Sequence, residues 1–276
     1  MTSRMLDIRA IASWEMRGAA RTRWVLGAAV LHGAGAIALT LVGLRSLRDL
    51  GLSGVGAAID GLVALGLLLP PLIGLLLGAA SMAGGREQGT LTLVAAQPIR
   101  RSSIPVGIIA GLTTTVSVAV LVGLGVAAVL IAPVVTGADL AGFGVATMAT
   151  LAAATVGVTV GVLISALSTS RSQATAIAAA VWFAAALGID LLLAAVGPGL
   201  RLGPVGFLWA VLLNPLEAIR ILALLATDSS SLGPFGVYMF DRFGTAGTAA
   251  IIGGALALWI TVPALIAGWV FKRRDV

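Results

Sequence analysis

Two short polar clusters hold most of the side chains in this sequence that can take part in directed chemistry. The first is Arg86-Glu87-Gln88-Gly89-Thr90-Leu91, followed by Pro98, Arg100 and Arg101. The second is Asn214-Pro215-Leu216-Glu217, with Arg220 one turn further on. Both are built for hydrogen bonding and ion pairing, and neither resembles bond-making machinery. The chain has no cysteine and one histidine, His32, and Lys272 is its one lysine, so sixteen of its seventeen basic residues are arginine. That composition leaves no thiolate site or Cys-His metal set. Lys272 lies near the C-terminus with no G-x-x-x-x-G-K-[ST] around it, so no phosphate-binding loop is present. HExxH and Ser-His-Asp arrangements are absent, and the sequence predicts no active site, metal site or cofactor in this chain. The six methionines form no close repeat that would hold copper.

The elements that must position these clusters are membrane helices. The 276 residues are 59% hydrophobic and 10% charged, against about 25% charge in soluble domains. A helix needs about 20 mostly apolar residues to span a bilayer. Six segments qualify, at 24–44, 58–83, 105–132, 140–167, 174–196 and 248–271, and together they predict one all-α transmembrane domain over 1–276. The arginine-rich segment before the first span, and that span's full length, predict no cleavable signal peptide.

A seventh candidate, 205–226, carries Asn214, Pro215, Glu217 and Arg220 in its middle. Asn214 reads as an N-cap, Pro215 as the first helical residue and Glu217 as the closing member of a capping box. The helix that follows is too short to span, so an interfacial or re-entrant element is expected on the outside, before the last span. The alternative to a functional role is simply a capped helix with an i,i+3 ion pair.

Charge orients the six spans. One side holds Arg4, Arg9, Arg17, Arg21, Arg23, Arg86, Arg100, Arg101, Arg171, Lys272, Arg273 and Arg274, twelve in all, and the other holds Arg45, Arg48, Arg201, Arg220 and Arg242, five in all. Positive charge marks the cytoplasmic side. Both termini and the 84–104 loop are therefore expected in the cytoplasm of a cell-membrane protein, and 197–247 outside. The net charge of +6 is accounted for by this asymmetry. With no basic patch interleaved with aromatics, nucleic acid is not an expected partner.

Polar residues inside spans are costly and often functional. His32, Asp60 and Asp190 fall there. They read either as a polar lining for a proton or metal path, or as interfacial snorkelling for the two aspartates and a side-chain hydrogen bond for His32. Pro70-Pro71 should bend the second span. Small residues, including Gly157 and Gly161, suit close helix packing, either within the bundle or in a dimer.

The order Glu87, Gly89-Thr90-Leu91, Pro98, Arg100-Arg101 after the second span resembles the permease subunits of ABC-2-type transporters. The resemblance covers the whole chain. It implies that the segment from Glu87 is a coupling helix seated in a separate cytoplasmic ATPase, which would bind the ATP and magnesium. It also implies that Ser170 and Arg171, in "STSRSQAT", make a second contact with that ATPase, and that the N-terminal segment is a surface helix, with Met5, Ile8 and Ala12 toward lipid. A dimer of permeases, most simply a homodimer, would form any path. The Asn-Pro-x-Glu-x-x-Arg start resembles the NosY-like permeases of nitrous oxide reductase maturation. That narrower likeness implies an external copper-handling partner contacting Asn214, Pro215, Glu217 and Arg220. The alternatives are an ABC-2 exporter of lipid, drug or polymer, and a membrane scaffold or assembly factor.

Overall fold

The computed structural model describes residues 3–50, 56–132, 137–196, 204–226 and 233–273. These form α1 (Ser3–Ala20), α2 (Arg23–Leu50), α3 (Gly56–Glu87), α4 (Thr90–Ala95), α5 (Ser103–Ile131), α6 (Gly137–Leu167), α7 (Arg171–Val196), α8 (Pro204–Leu213), α9 (Pro215–Ala226) and α10 (Gly233–Arg273). Among the described residues the architecture is all-helical. Five described helices carry runs long and apolar enough to cross a membrane: Val25–Val42, Gly61–Glu87, Ser103–Leu130, Leu140–Leu167 and Phe235–Arg273. The sixth expected span corresponds to α7, which is 26 residues long.

The helices differ in how far they are enclosed. In their apolar runs, 67% of residues are buried in α3 and α6, against 28% in α2 and α5 and 17% in α10. The bundle is therefore built around the α3–α6 pair. Large apolar side chains such as Val30, Val129 and Leu265 face outward, each at least 70% exposed. In water such a surface would be a liability, but against acyl chains it is matched to its solvent.

Glycine explains the central pair. A Cβ on Gly74 or Gly78 of α3 would strike the α6 backbone at Ala154 or Val158, and one on Gly157 or Gly161 of α6 would strike the carbonyl of Pro71 or Leu75. The two backbones approach so closely because no side chain separates them. The Gly157–Gly161 spacing therefore packs the bundle internally. Pro70 and Pro71 are accommodated within a continuous α3, with both residues buried against their neighbours.

Three placements differ from expectation. Residues 233–247, expected outside the last span, belong to α10, because Phe235 and Met239, four residues apart, bury one face. The 41 residues of α10 form a short helix before Gly244 and, after it, one of about 45 Å, ample to span a bilayer. The helix breaks at Gly244, whose φ of 67° ends regular helix there, and the Thr248 hydroxyl donates to the Met239 carbonyl across the break. Second, Ile8 and Ala12 of α1 face α5, where Gly107 and Gly111 let α1 lie against it. Met5 is 58% exposed, as expected.

The third concerns α8 and α9: of the two expected placements, interfacial and re-entrant, they take the second, as a hairpin, and α9 is not the exposed outer helix expected before the last span. The hairpin tip, Asn214-Pro215, shares a cavity with Pro71, Gly157, Val160 and Trp259, all well inside their helices. From there α9 returns along the first part of α6, where Ile219 and Leu222 line a cavity with Ala141 and Val145. Ala218, Ile219, Ile221 and Ala223 are at most 1% exposed. Thus α9 is enclosed by the bundle and does not lie on its outer face.

Candidate coupling surface and re-entrant hairpin

The first polar cluster sits where α3, α6 and α7 end together. Arg86 and Glu87 are adjacent in sequence but turn to different helix ends. The Arg86 Nη2 donates to the carbonyls of Ser165 (2.6 Å) and Ser168 (2.7 Å), at the C-terminus of α6. The Glu87 Oε1 accepts from the backbone N–H of Arg171 (2.9 Å), the first residue of α7. A cation at a helix C-terminus and an anion at an N-terminus each match the local dipole and satisfy groups the helix cannot. The partner of Glu87 is thus a backbone amide and not a charged side chain. The Ser165 hydroxyl adds a bond from the Ala83 N–H (2.8 Å).

Ser170 caps α7. Its hydroxyl accepts from the Gln173 N–H (3.2 Å), and the Gln173 carboxamide oxygen accepts from the Thr169 N–H and hydroxyl, both at 2.9 Å. This is a reciprocal capping box shifted by one residue. The loop Ser168–Arg171 is therefore rigid and bolted to the end of α3.

From there the chain turns on Gly89. Its φ of 71° stops α3 and starts α4, a conformation costing about 1–2 kcal/mol for most other residues. Thr90 returns a hydroxyl bond to the Gly85 carbonyl (3.3 Å). Leu91 is buried at 5%, anchoring α4, while Leu93 stands 69% exposed. Gln88, Pro98, Arg100 and Arg101 are exposed around it, and the Arg100 N–H lies 3.5 Å from the Asp7 carboxylate of α1. One surface thus brings together Glu87, Gln88, Gly89, Thr90, Ser170 and Arg171, anchored beneath by Leu91 and flanked by Pro98, Arg100 and Arg101. Sequence reasoning missed Arg86, Asp7 and Ser165 as its supports. Ser-x-x-Gln was legible as a cap, but the reach of Arg86 to α6 needed the fold.

At the hairpin tip, Asn214 Oδ1 accepts from the N–H groups of Leu216 (3.1 Å) and Glu217 (3.3 Å), the expected N-cap. Its Nδ2 donates to the Ala185 carbonyl of α7 (2.7 Å). Trp259 secures the other arm by donating to the Leu212 carbonyl (2.9 Å). Glu217 does not close a capping box, since the Asn214 N–H goes to the Val211 carbonyl. Glu217 instead takes a bidentate pair from Arg220, at 2.8 and 2.6 Å. Their side chains are 12% and 35% exposed, respectively. Asn214 is 8% exposed and Pro215 is buried, so of the four expected partner contacts Arg220 offers most surface. Asn214→Ala removes the cap, worth about 1 kcal/mol, and the added bond to the Ala185 carbonyl of α7, worth about 0.5–1.5 kcal/mol more. A fall of several degrees in the thermal midpoint is expected, read by scanning fluorimetry in detergent, with Asn214→Asp recovering the cap alone.

His32 is 1% exposed, and neither ring nitrogen has a protein partner. The expected bond to a neighbouring helix is absent. The ring faces Pro70, Val116 and Val120 across a space of about 10 Å³, the size of one water. The side chains of Asp60 and Asp190 lie outside the described residues.

With this geometry in place, the comparisons with known proteins decide the family. Residues 9–276 match the family model for ABC-2 family transporter proteins. The chain belongs to the ABC-2 transporter family. Its relatives include a probable ABC transporter permease protein NosY of Stutzerimonas stutzeri, 31% identical over 96% of this chain and 97% of the relative. The corresponding protein of Pseudomonas aeruginosa is 30% identical over 96% and 98%. This ABC-2 permease is thus matched over nearly its whole length, with both the coupling surface and the hairpin inside the matched region.

Proposed function

We propose that this chain is the membrane subunit of an ABC transporter whose ATPase is a separate cytoplasmic protein. It crosses the membrane six times, by the five apolar helices and α7, as one transmembrane domain with both termini in the cytoplasm of a cell-membrane protein. ATP and magnesium bind the partner, and two permease copies work together as a homodimer. The single observation that carries this reading is the α4 surface: an exposed Leu93 on a short helix that follows directly from the end of α3, where Arg86 and Glu87 tie α3 to α6 and α7. Force applied to α4 reaches the α3–α6 core and α7 together, because both of these residues sit at the end of α3.

The likeness to NosY favours a particular task, the transmission of ATP-driven movement to an external partner that handles copper for nitrous oxide reductase. The buried hairpin supports it. Movement of α3, α6 or α7 is passed through Asn214 and the packed α9 to Arg220 on the other side of the bundle core. Arg220→Ala should leave assembly with the ATPase intact and cut recovery of an external partner at least tenfold in co-purification from native membranes. Equal recovery from wild type and variant removes Arg220 from that role, and the absence of any external partner points instead to an exporter.

A further inference from the structure

Behind α4 lies a cavity of about 270 Å³, enclosed by α1, α3, α4 and α5 and reached by Arg171 from α7. Its wall is largely apolar, with Leu77, Ile104 and Ile108 contributing, and Ser81, Gln88 and Thr90 supply polar groups. Glu15 places a carboxylate in this wall. It is brought there by glycine packing, since Gly111 lets the Glu15 Cβ and the Ala12 carbonyl lie against the backbone of α5. Among the described residues no hydrogen bond or ion pair reaches that carboxylate. Partial burial, with no counter-ion beside it, raises its pKa to about 7. Arg171 is the other charged residue lining the cavity. Its backbone N–H is used by Glu87, while its guanidinium has no described partner.

An unpaired acid and an unpaired guanidinium beside one apolar cavity define a ligand with three parts: a cationic group, an anionic group and an apolar continuation. Apolar amino acids and zwitterionic lipids both combine them, so position must decide between the two sources. The position favours the lipid. Trp14 lines the same cavity and is 50% exposed, and Met5, Leu6 and Met16 on α1 also present apolar side chains outward, as a helix lying at a membrane surface would. We propose that this cavity binds the phosphoethanolamine headgroup of a membrane lipid, its ammonium on Glu15 and its phosphate on Arg171. The acyl chains remain outside, along α1. The ammonium supplies the counter-ion that Glu15 lacks, and the carboxylate must be ionised to hold it. Retention therefore rises with pH through about 7.

The test is native mass spectrometry of the purified full chain in detergent. It is offered phosphatidylethanolamine or phosphatidylglycerol of the same acyl composition at equal concentration, at pH 8 and pH 6. Wild type should retain phosphatidylethanolamine at least tenfold better than phosphatidylglycerol at pH 8, and less well at pH 6. Glu15→Gln and Arg171→Gln should each remove the preference, and Glu15→Asp should keep part of it. Ile108→Trp, which fills the cavity and leaves both charges, should also abolish retention, so the test does not depend on one variant folding. Equal retention of the two lipids by wild type, or unchanged preference in Glu15→Gln and Ile108→Trp, overturns the proposal. Retention of free phosphoethanolamine as strong as that of the lipid at equal concentration assigns the site to a soluble ligand and overturns it as a lipid site.

Discussion

Gly161→Leu is expected to prevent accumulation of a folded bundle. A Cβ at this position meets the Leu75 carbonyl and the Ala79 N–H, both backbone groups inside α3. Neither can swing aside as a side-chain tip would, so α3 and α6 must separate. Overpacking a core costs about 1–3 kcal/mol even where side chains adjust. Here the separation also loosens Gly74, Gly78 and Gly157, which depend on the same approach. The measurement is the yield of monodisperse protein in mild detergent together with its thermal midpoint. Gly125→Leu and Gly144→Leu are the controls, since nothing lies within 4 Å of an added Cβ at either glycine. They should behave as wild type. A Gly161→Leu protein as stable as these controls would show that the central pair is not held by backbone contact.

Leu93→Glu is expected to give the largest functional loss for the least structural change. Leu93 is 69% exposed, so its replacement removes little internal packing, whereas Leu91 two residues earlier is 5% exposed and anchors the helix. A hot-spot side chain at the centre of an interface contributes about 2 kcal/mol or more, about a 30-fold change in affinity, and a carboxylate buried in place of Leu93 adds its own desolvation cost. Co-purification of the ATPase and transport-linked ATP turnover should fall at least 30-fold, with the thermal midpoint of the permease unchanged. Leu91→Glu should instead destabilise the permease itself. Gly89→Val lies between the two: no atom obstructs the added Cβ, but the left-handed φ tilts α4, so turnover should drop more than association. Full ATPase association with Leu93→Glu would place the contact elsewhere.

The sequence made the long helices visible because apolar runs of this length have few other uses. It also exposed a short helix after the second span, expected to begin at Glu87, whereas α3 runs on through Glu87 and α4 starts at Thr90, after the left-handed Gly89. Asn214-Pro215 was likewise legible as a helix start. What was not legible depended on neighbours. The Glu217–Arg220 pair made α9 look like a surface helix, because two charges in a dozen residues are costly to bury singly. Paired bidentately with each other, they leave the apolar faces of α9 free to pack inside. The Gly157–Gly161 spacing announced a close approach but could not say to which helix. Phe235 and Met239 carried a helical period inside a segment placed outside the last span, and Gly244 concealed it by separating that helix from the final span. Arg86 read as topological charge, and only the fold shows that the end of α6 lies within its reach.

The claim that α4 is where this permease receives movement from an ATPase is tested most directly by position-specific cross-linking. The chain has no cysteine, so Leu93→Cys carries the only reactive thiol, and Phe240→Cys, 45% exposed near the start of α10, probes the opposite end of the bundle. Each variant is labelled with a photoactivatable maleimide in native membranes, and the captured proteins are sequenced. A protein bearing a G-x-x-x-x-G-K-[ST] loop should be captured from Leu93→Cys and not from Phe240→Cys. Capture of such a protein from Phe240→Cys, or from neither variant in membranes where both accumulate, would contradict the assignment.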